Sequence, residues 1–168
     1  GSNLPWHYSF VWIGISTPII YILLFIIGSY KVLHNFLTNL DGLWKNLDEK
    51  LDLFLLAFFF GPLIAVIIFN STLYNGWRHI YFIYPCFLII AINGLDIIKN
   101  RFFNDKKFYF NILVFVFLSH IIFSMYKYHP HQNVYFNFLA GKKVEKYFEL
   151  DYWGLSNKQA FEYILSND

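Results

Sequence analysis

The stretch FYFNILVFVFLSHIIFSMY, residues 108–126, decides the fold. Apart from tyrosines it holds one ionisable group, His120. A bilayer core about 30 Å thick is crossed by roughly 17–25 apolar helical residues, and this run has that length. Its apolar side chains fall on every side instead of at alternate positions, which favours a helix in hydrocarbon over a barrel strand. Three further uncharged runs lie upstream: Phe10–Ile27, Leu53–Phe69 and Ile80–Leu95. The last two reach spanning length once Asp52, Asn70, His79 and Asp96 sit at the interface. The expected fold is an all-α integral membrane protein. Its four transmembrane helices are predicted over 10–28, 52–70, 79–97 and 108–127 of a transmembrane region covering 1–128.

Composition points the same way. The 168 residues are 57% hydrophobic and 14% charged, against about 25% charged in a soluble domain. Thirteen Lys and Arg with 11 Asp and Glu cannot coat a globule containing 21 Phe, 13 Tyr and 5 Trp. A soluble globule and a disordered tail are thereby excluded. The net charge of +2 is too small for a nucleic-acid partner. One cysteine, Cys86, leaves no internal disulfide and no cysteine-based zinc cluster.

Between the first two runs, Val32, Leu33, Phe36, Leu37, Leu40, Leu43, Trp44 and Leu47 recur at three- and four-residue steps. This predicts one amphipathic interfacial helix over 31–48, lying in the headgroup plane as a surface linker or as a docking face for a partner. Residues 129–168 form a short polar and aromatic tail. A helix is predicted there over 156–166, with Ser156 as N-cap and Gln159 as its capping-box partner. Lys99, Arg101, Lys106 and Lys107 lie in one inter-span loop, and Lys31, Lys45 and Lys50 in another. Both loops face the cytoplasm by the positive-inside rule, so the N- and C-termini of the chain are expected to be extracytoplasmic, although the tail carries Lys127, Lys142, Lys143, Lys146 and Lys158, which weigh against that orientation. The chain opens on Gly1 and reads as a section of a longer polypeptide whose N-terminal spans precede it.

Three polar clusters then fall on the outer side. They are Asn3–Tyr8, Tyr74–His79, and the tail segment from His129 to Gly154. Arg78 is the only Arg or Lys of the short turn between the second and third runs. A guanidinium at headgroup depth suits bidentate phosphate recognition, or it snorkels to bulk lipid. His79 and Trp77 flank it as further donor-binding candidates. His7, His129, His131, Asn133, Tyr135, Asp151 and Trp153 are candidate outer-surface site residues. His129 and His131 bracket Pro130 in a His-x-His pair, which has the chemistry of a divalent-metal site. No third or fourth ligand is identifiable by spacing, so neither a metal nor another cofactor is assigned. Asp151 is read as a hydrogen-bond anchor of the tail.

Four motifs in order resemble a known family: Leu4-Pro5-Trp6-His7-Tyr8 with Ser16-Thr17-Pro18, Tyr74-Asn75-Gly76-Trp77-Arg78-His79, His129-Pro130-His131-Gln132-Asn133-Val134-Tyr135-Phe136-Asn137, and Glu149-Leu150-Asp151-Tyr152-Trp153-Gly154. This order is similar to the later part of bacterial GT-C membrane glycosyltransferases of the family 39 type, relatives of the protein mannosyltransferases and the aminoarabinose transferase of lipid A. The resemblance implies a C-terminal section of an inner-membrane enzyme. That enzyme would move a sugar from a polyprenyl-phosphate carrier to a glycan, lipid or protein acceptor on the outer face. It also implies a catalytic acidic residue on the first outer loop of the whole protein, and residues 1–9 contain no Asp or Glu. The catalytic residue of this chain is therefore unassigned. The alternative reading is a non-catalytic membrane anchor or subunit that binds a partner through its tail and amphipathic loop.

Overall fold

The computed structural model describes residues 4–38, 46–74, 76–142, 144–148, 150–152 and 154–167. The described elements are helical, and four of them are long and apolar enough to cross a membrane: Ile19–Thr38, Leu47–Ile68, Arg78–Phe102 and Lys107–Lys127.

The first predicted span is corrected. Residues 10–28 do not form one helix. Pro18 has no N–H and disfavours helical backbone at Thr17, and Thr17 is extended. The run therefore divides into a short helix α1 (Tyr8–Ser16) and a long helix α2 (Ile19–Thr38). Helix α2 continues through Lys31–Thr38, so these residues extend a long apolar helix and do not begin a separate interfacial one. The rest of that predicted helix, up to residue 45, lies outside the described residues.

Helix α3 (Leu47–Ile68) starts at Asn46, whose side chain accepts from the Asp48 N–H at 3.0 Å. Asp48 and Glu49 in its first turn complement the helix dipole. A 3₁₀ segment, Arg78–Ile83, leads into helix α4 (Tyr84–Phe102). Pro85 cannot donate to the Tyr81 carbonyl, and the Tyr84 N–H takes that acceptor instead. Helix α5 (Lys107–Lys127) follows a short turn. The tail contains two 3₁₀ turns (Gln132–Val134 and Phe138–Ala140), a single turn α6 (Val144–Tyr147) and the terminal helix α7 (Asn157–Asn167).

Glycine sets the closest helix contact. A Cβ on Gly28 would collide with the Ile90 carbonyl, and one on Gly94 with the Leu24 carbonyl. The α2 and α4 backbones therefore touch, as small residues allow in lipid-embedded bundles. Beside this crossing, Phe25 packs on Phe59 at 4.7 Å and stacks on Phe87 at 4.6 Å between ring centres. One residue before Gly94, Asn93 Nδ2 donates to Asp52 Oδ1 at 2.6 Å, joining α4 to α3. No residue of α5 is buried, although Phe115, Val116, Ile122 and Phe123 are all more than half exposed. So much bare hydrocarbon suits lipid or an apolar neighbour, not water.

Candidate functional site at the aromatic rim

One end of the bundle gathers α1, the start of α2, the turn before Arg78 and the tail. Asn137 fastens them. Pro18 leaves the Gly14 carbonyl without its helical donor, and Asn137 Nδ2 donates to it at 2.6 Å and to the Thr17 carbonyl at 2.7 Å. The Asn137 backbone N–H donates to the Ile15 carbonyl at 2.8 Å. Its Oδ1 accepts from the Leu139 N–H at 2.9 Å. One buried residue thus satisfies three carbonyls at the helix break, as buried polar groups require.

The turn preceding Arg78 is held against α1 in the same way. Tyr8 Oη accepts from the Gly76 N–H at 3.0 Å. Ser16 Oγ donates to the Trp12 carbonyl at 2.6 Å and accepts from Trp77 Nε1 at 3.0 Å. Gly76 has a φ of +77°, and a Cβ there would press on the Trp12 ring at 3.2 Å. A side chain would be both strained and crowded at this position. Trp12 also meets Phe136 and Phe148 of the tail, at 5.8 and 5.2 Å between ring centres.

Arg78 emerges from this frame half-buried. Its guanidinium carbon lies 4.7 Å from the centre of the Tyr152 ring, a cation–π geometry that keeps the planar fork oriented. It lines a cavity of about 320 Å³ with Trp77, Tyr81, Asn133, Phe136 and Tyr152. Among the described residues lining this cavity Arg78 is the only charged one. The chamber is aromatic and amide-lined, with one fixed cation, which suits an anion carried on an apolar molecule.

Of the predicted site residues, Trp77, Arg78 and Asn133 come together here. His79 does not line this cavity; it is exposed and packs edge-on to Tyr74 at 6.2 Å. His7 lines a separate cavity of about 400 Å³ with Trp12, Tyr147 and Phe148. His129 Nδ1 accepts from Gln132 Nε2 at 3.1 Å, and His131 Nε2 donates to Gln159 Oε1 at 2.9 Å. The two imidazoles thus serve tail contacts. Among the described residues no three His, Cys, Asp or Glu side chains converge as a metal site would need. Asp151 accepts from the Leu155 and Ser156 N–H groups at 2.9 Å each and from Ser156 Oγ at 2.6 Å. Those bonds, the Ser156 hydroxyl foremost, hold its carboxyl below the ordinary carboxylate range. Trp153 lies outside the described residues.

Tyr135 lines a third cavity, of about 390 Å³, bounded by Tyr21, Tyr81, Tyr84, Tyr128 and His120. Burial, and then the Tyr128 phenol, push the Tyr135 hydroxyl up from its ordinary value. The positioning residues Asn137, Ser16 and Tyr8 and the partner ring Tyr152 stand inside the quoted motifs but are not among the predicted site residues. The one available signal was the Ser16-Thr17-Pro18 break, which calls for outside donors. The chain matches no family model, no curated protein and no solved structure.

Proposed function

We propose that the chain is a section of a membrane glycosyltransferase that takes a sugar from a polyprenyl-phosphate carrier and passes it to an acceptor at the outer face of a bacterial inner membrane. The observation that carries this reading is Arg78, the one charged residue among the described residues lining an aromatic chamber at the end of a bundle of four apolar helices. When the sugar leaves, negative charge develops on the carrier phosphate. A guanidinium held by Tyr152 offers fixed positive charge without reorganisation at that moment. Asn133 supplies a neutral hydrogen-bonding group, and Trp77 and Tyr81 supply apolar walls for the carrier's first isoprene units.

Lys31, Lys50, Lys99, Arg101, Lys106 and Lys107 lie toward the other end of the long helices, against Arg78, Lys127, Lys142, Lys146 and Lys158 in the rim turn and tail; this narrow excess of basic residues favours placing the rim outside. No Asp or Glu lines the Arg78 chamber among the described residues. The test is turnover of a polyprenyl-phosphate sugar in membranes holding the whole polypeptide. Arg78→Ala should lower it by about tenfold or more at normal expression; unchanged turnover would remove Arg78 from the site.

A further inference from the structure

The cavity of about 390 Å³ between the starts of α2 and α4 and the end of α5 is a second chamber, separate from that of Arg78. Tyr81 lines both. Its size falls within the roughly 300–1,000 Å³ of small-molecule sites.

Its lining is unusual for a space at the end of apolar helices. Of the eleven lining residues only Pro18, Ile121 and Met125 have no hydrogen-bonding side chain. Five are tyrosines, joined by His120, Ser124 and Gln132. Among the described residues, neither Arg, Lys, Asp nor Glu lines it. Tyr81 and Tyr84 stack at 5.1 Å between ring centres, and Tyr128 stands edge-on to Tyr135 at 5.7 Å. Rings locked against one another present fixed faces.

An alkyl chain gains nothing from so many hydroxyl and amide groups and would strip them of water. An anion finds no fixed cation. A ring with hydroxyls at its edge and C–H groups on its faces fits both features. Its C–H face packs on a phenol ring, and its hydroxyls trade hydrogen bonds with the phenol, imidazole and amide groups. We propose that the tyrosine-lined chamber between α2, α4 and α5 binds a neutral monosaccharide ring. As the sugar compartment of the transferase it rests on the reading above, with Tyr81 as the partition between sugar and phosphate. The ring comes either from the carrier-linked donor or from a saccharide acceptor.

The experiment is saturation-transfer NMR on the full chain in lipid nanodiscs with a panel of methyl glycosides of glucose, galactose and mannose at millimolar concentration. At least one glycoside should receive transfer. The double variant Tyr84→Phe/Tyr128→Phe keeps both rings and should weaken its binding by about fivefold or more, with a melting temperature near that of the wild type. If the double variant melts early, Gln132→Ala, in the tail outside the helices, provides the same comparison. A transfer signal absent for the whole panel, or undiminished in the variants, overturns the proposal. The source is settled by competition: a polyprenyl-phosphate glycoside displaces the methyl glycoside if the chamber holds the donor sugar and leaves it bound if the chamber holds the acceptor. Binding of the unglycosylated polyprenyl phosphate is measured separately, so loss of the sugar site and loss of the phosphate site are distinguishable.

Discussion

Asn137 Nδ2 donates to the Gly14 carbonyl at 2.6 Å, filling the acceptor that Pro18 leaves empty four residues on. A tail residue more than a hundred positions away thereby completes the helix break. The tail strap and the α1–α2 elbow become one unit, and the Arg78 chamber is built on it.

Removing that amide leaves two buried carbonyls without their donor. Asn137→Ala should cost roughly 1–3 kcal/mol and lower the unfolding temperature in detergent. Asn137→Asp should be no better, since a carboxylate cannot donate. An unchanged melting temperature for Asn137→Ala would show that the strap is not fastened there.

The α2–α4 crossing predicts a contrast between glycines. Gly94→Val and Gly28→Val should each destabilise by about 1–3 kcal/mol or more, because the colliding atoms are backbone. Gly61→Ala, with open space at its Cβ, should be neutral or mildly stabilising. Thermal unfolding of the three variants side by side decides the point; equal behaviour would contradict the backbone contact.

Asp151 predicts the pH response of the tail. Its folded-state pKa lies below the unfolded one, through the bonds from Ser156 and Leu155. Its contribution is therefore present above the usual carboxylate range, about pH 4, and is lost as pH falls through the lowered value. The protection factors of the Leu155 and Ser156 amides, their exchange relative to the unstructured rate at the same pH, should be high at neutral pH and drop only below that range. In Asp151→Asn protection should be lower throughout and show no acid step.

Topology gives a further check. In a Cys86→Ser background, single cysteines at Asn70 and Lys106 should react with membrane-impermeant reagent from opposite sides of sealed vesicles. Reaction from the same side would break the four-span arrangement.

Much of this fold is legible in the residues, for a physical reason. An apolar run of spanning length has few alternatives, so four long helices follow from 10–27, 53–69, 80–95 and 108–126 with little else to weigh. The first helix boundary differs from the expected one because the run at 10–27 is uniformly apolar and conceals the elbow at Pro18. Once the chain restarts at Ile19, a full-length helix must reach Thr38, absorbing residues whose three- and four-residue spacing resembled a surface helix. The clusters at Tyr8, Trp77–Arg78 and His131–Tyr135 were legible as boundary groups because polar side chains concentrate where apolar runs stop. Which of two neighbours faces inward was not: Arg78 turns toward Tyr152 and His79 toward Tyr74. Gly28 and Gly94 are a pair only in space, so their contact leaves no local pattern. Asn137 likewise acts across more than a hundred residues of sequence.

The central claim is that Arg78 makes the aromatic chamber a receptor for a lipid-borne phosphate. Native mass spectrometry of the chain with decaprenyl phosphate and with decaprenol tests it most directly. The wild type should hold the phosphate about tenfold or more tighter than the alcohol, and Arg78→Ala should hold the two alike. No preference in the wild type, or an equal preference in Arg78→Ala, would contradict the account.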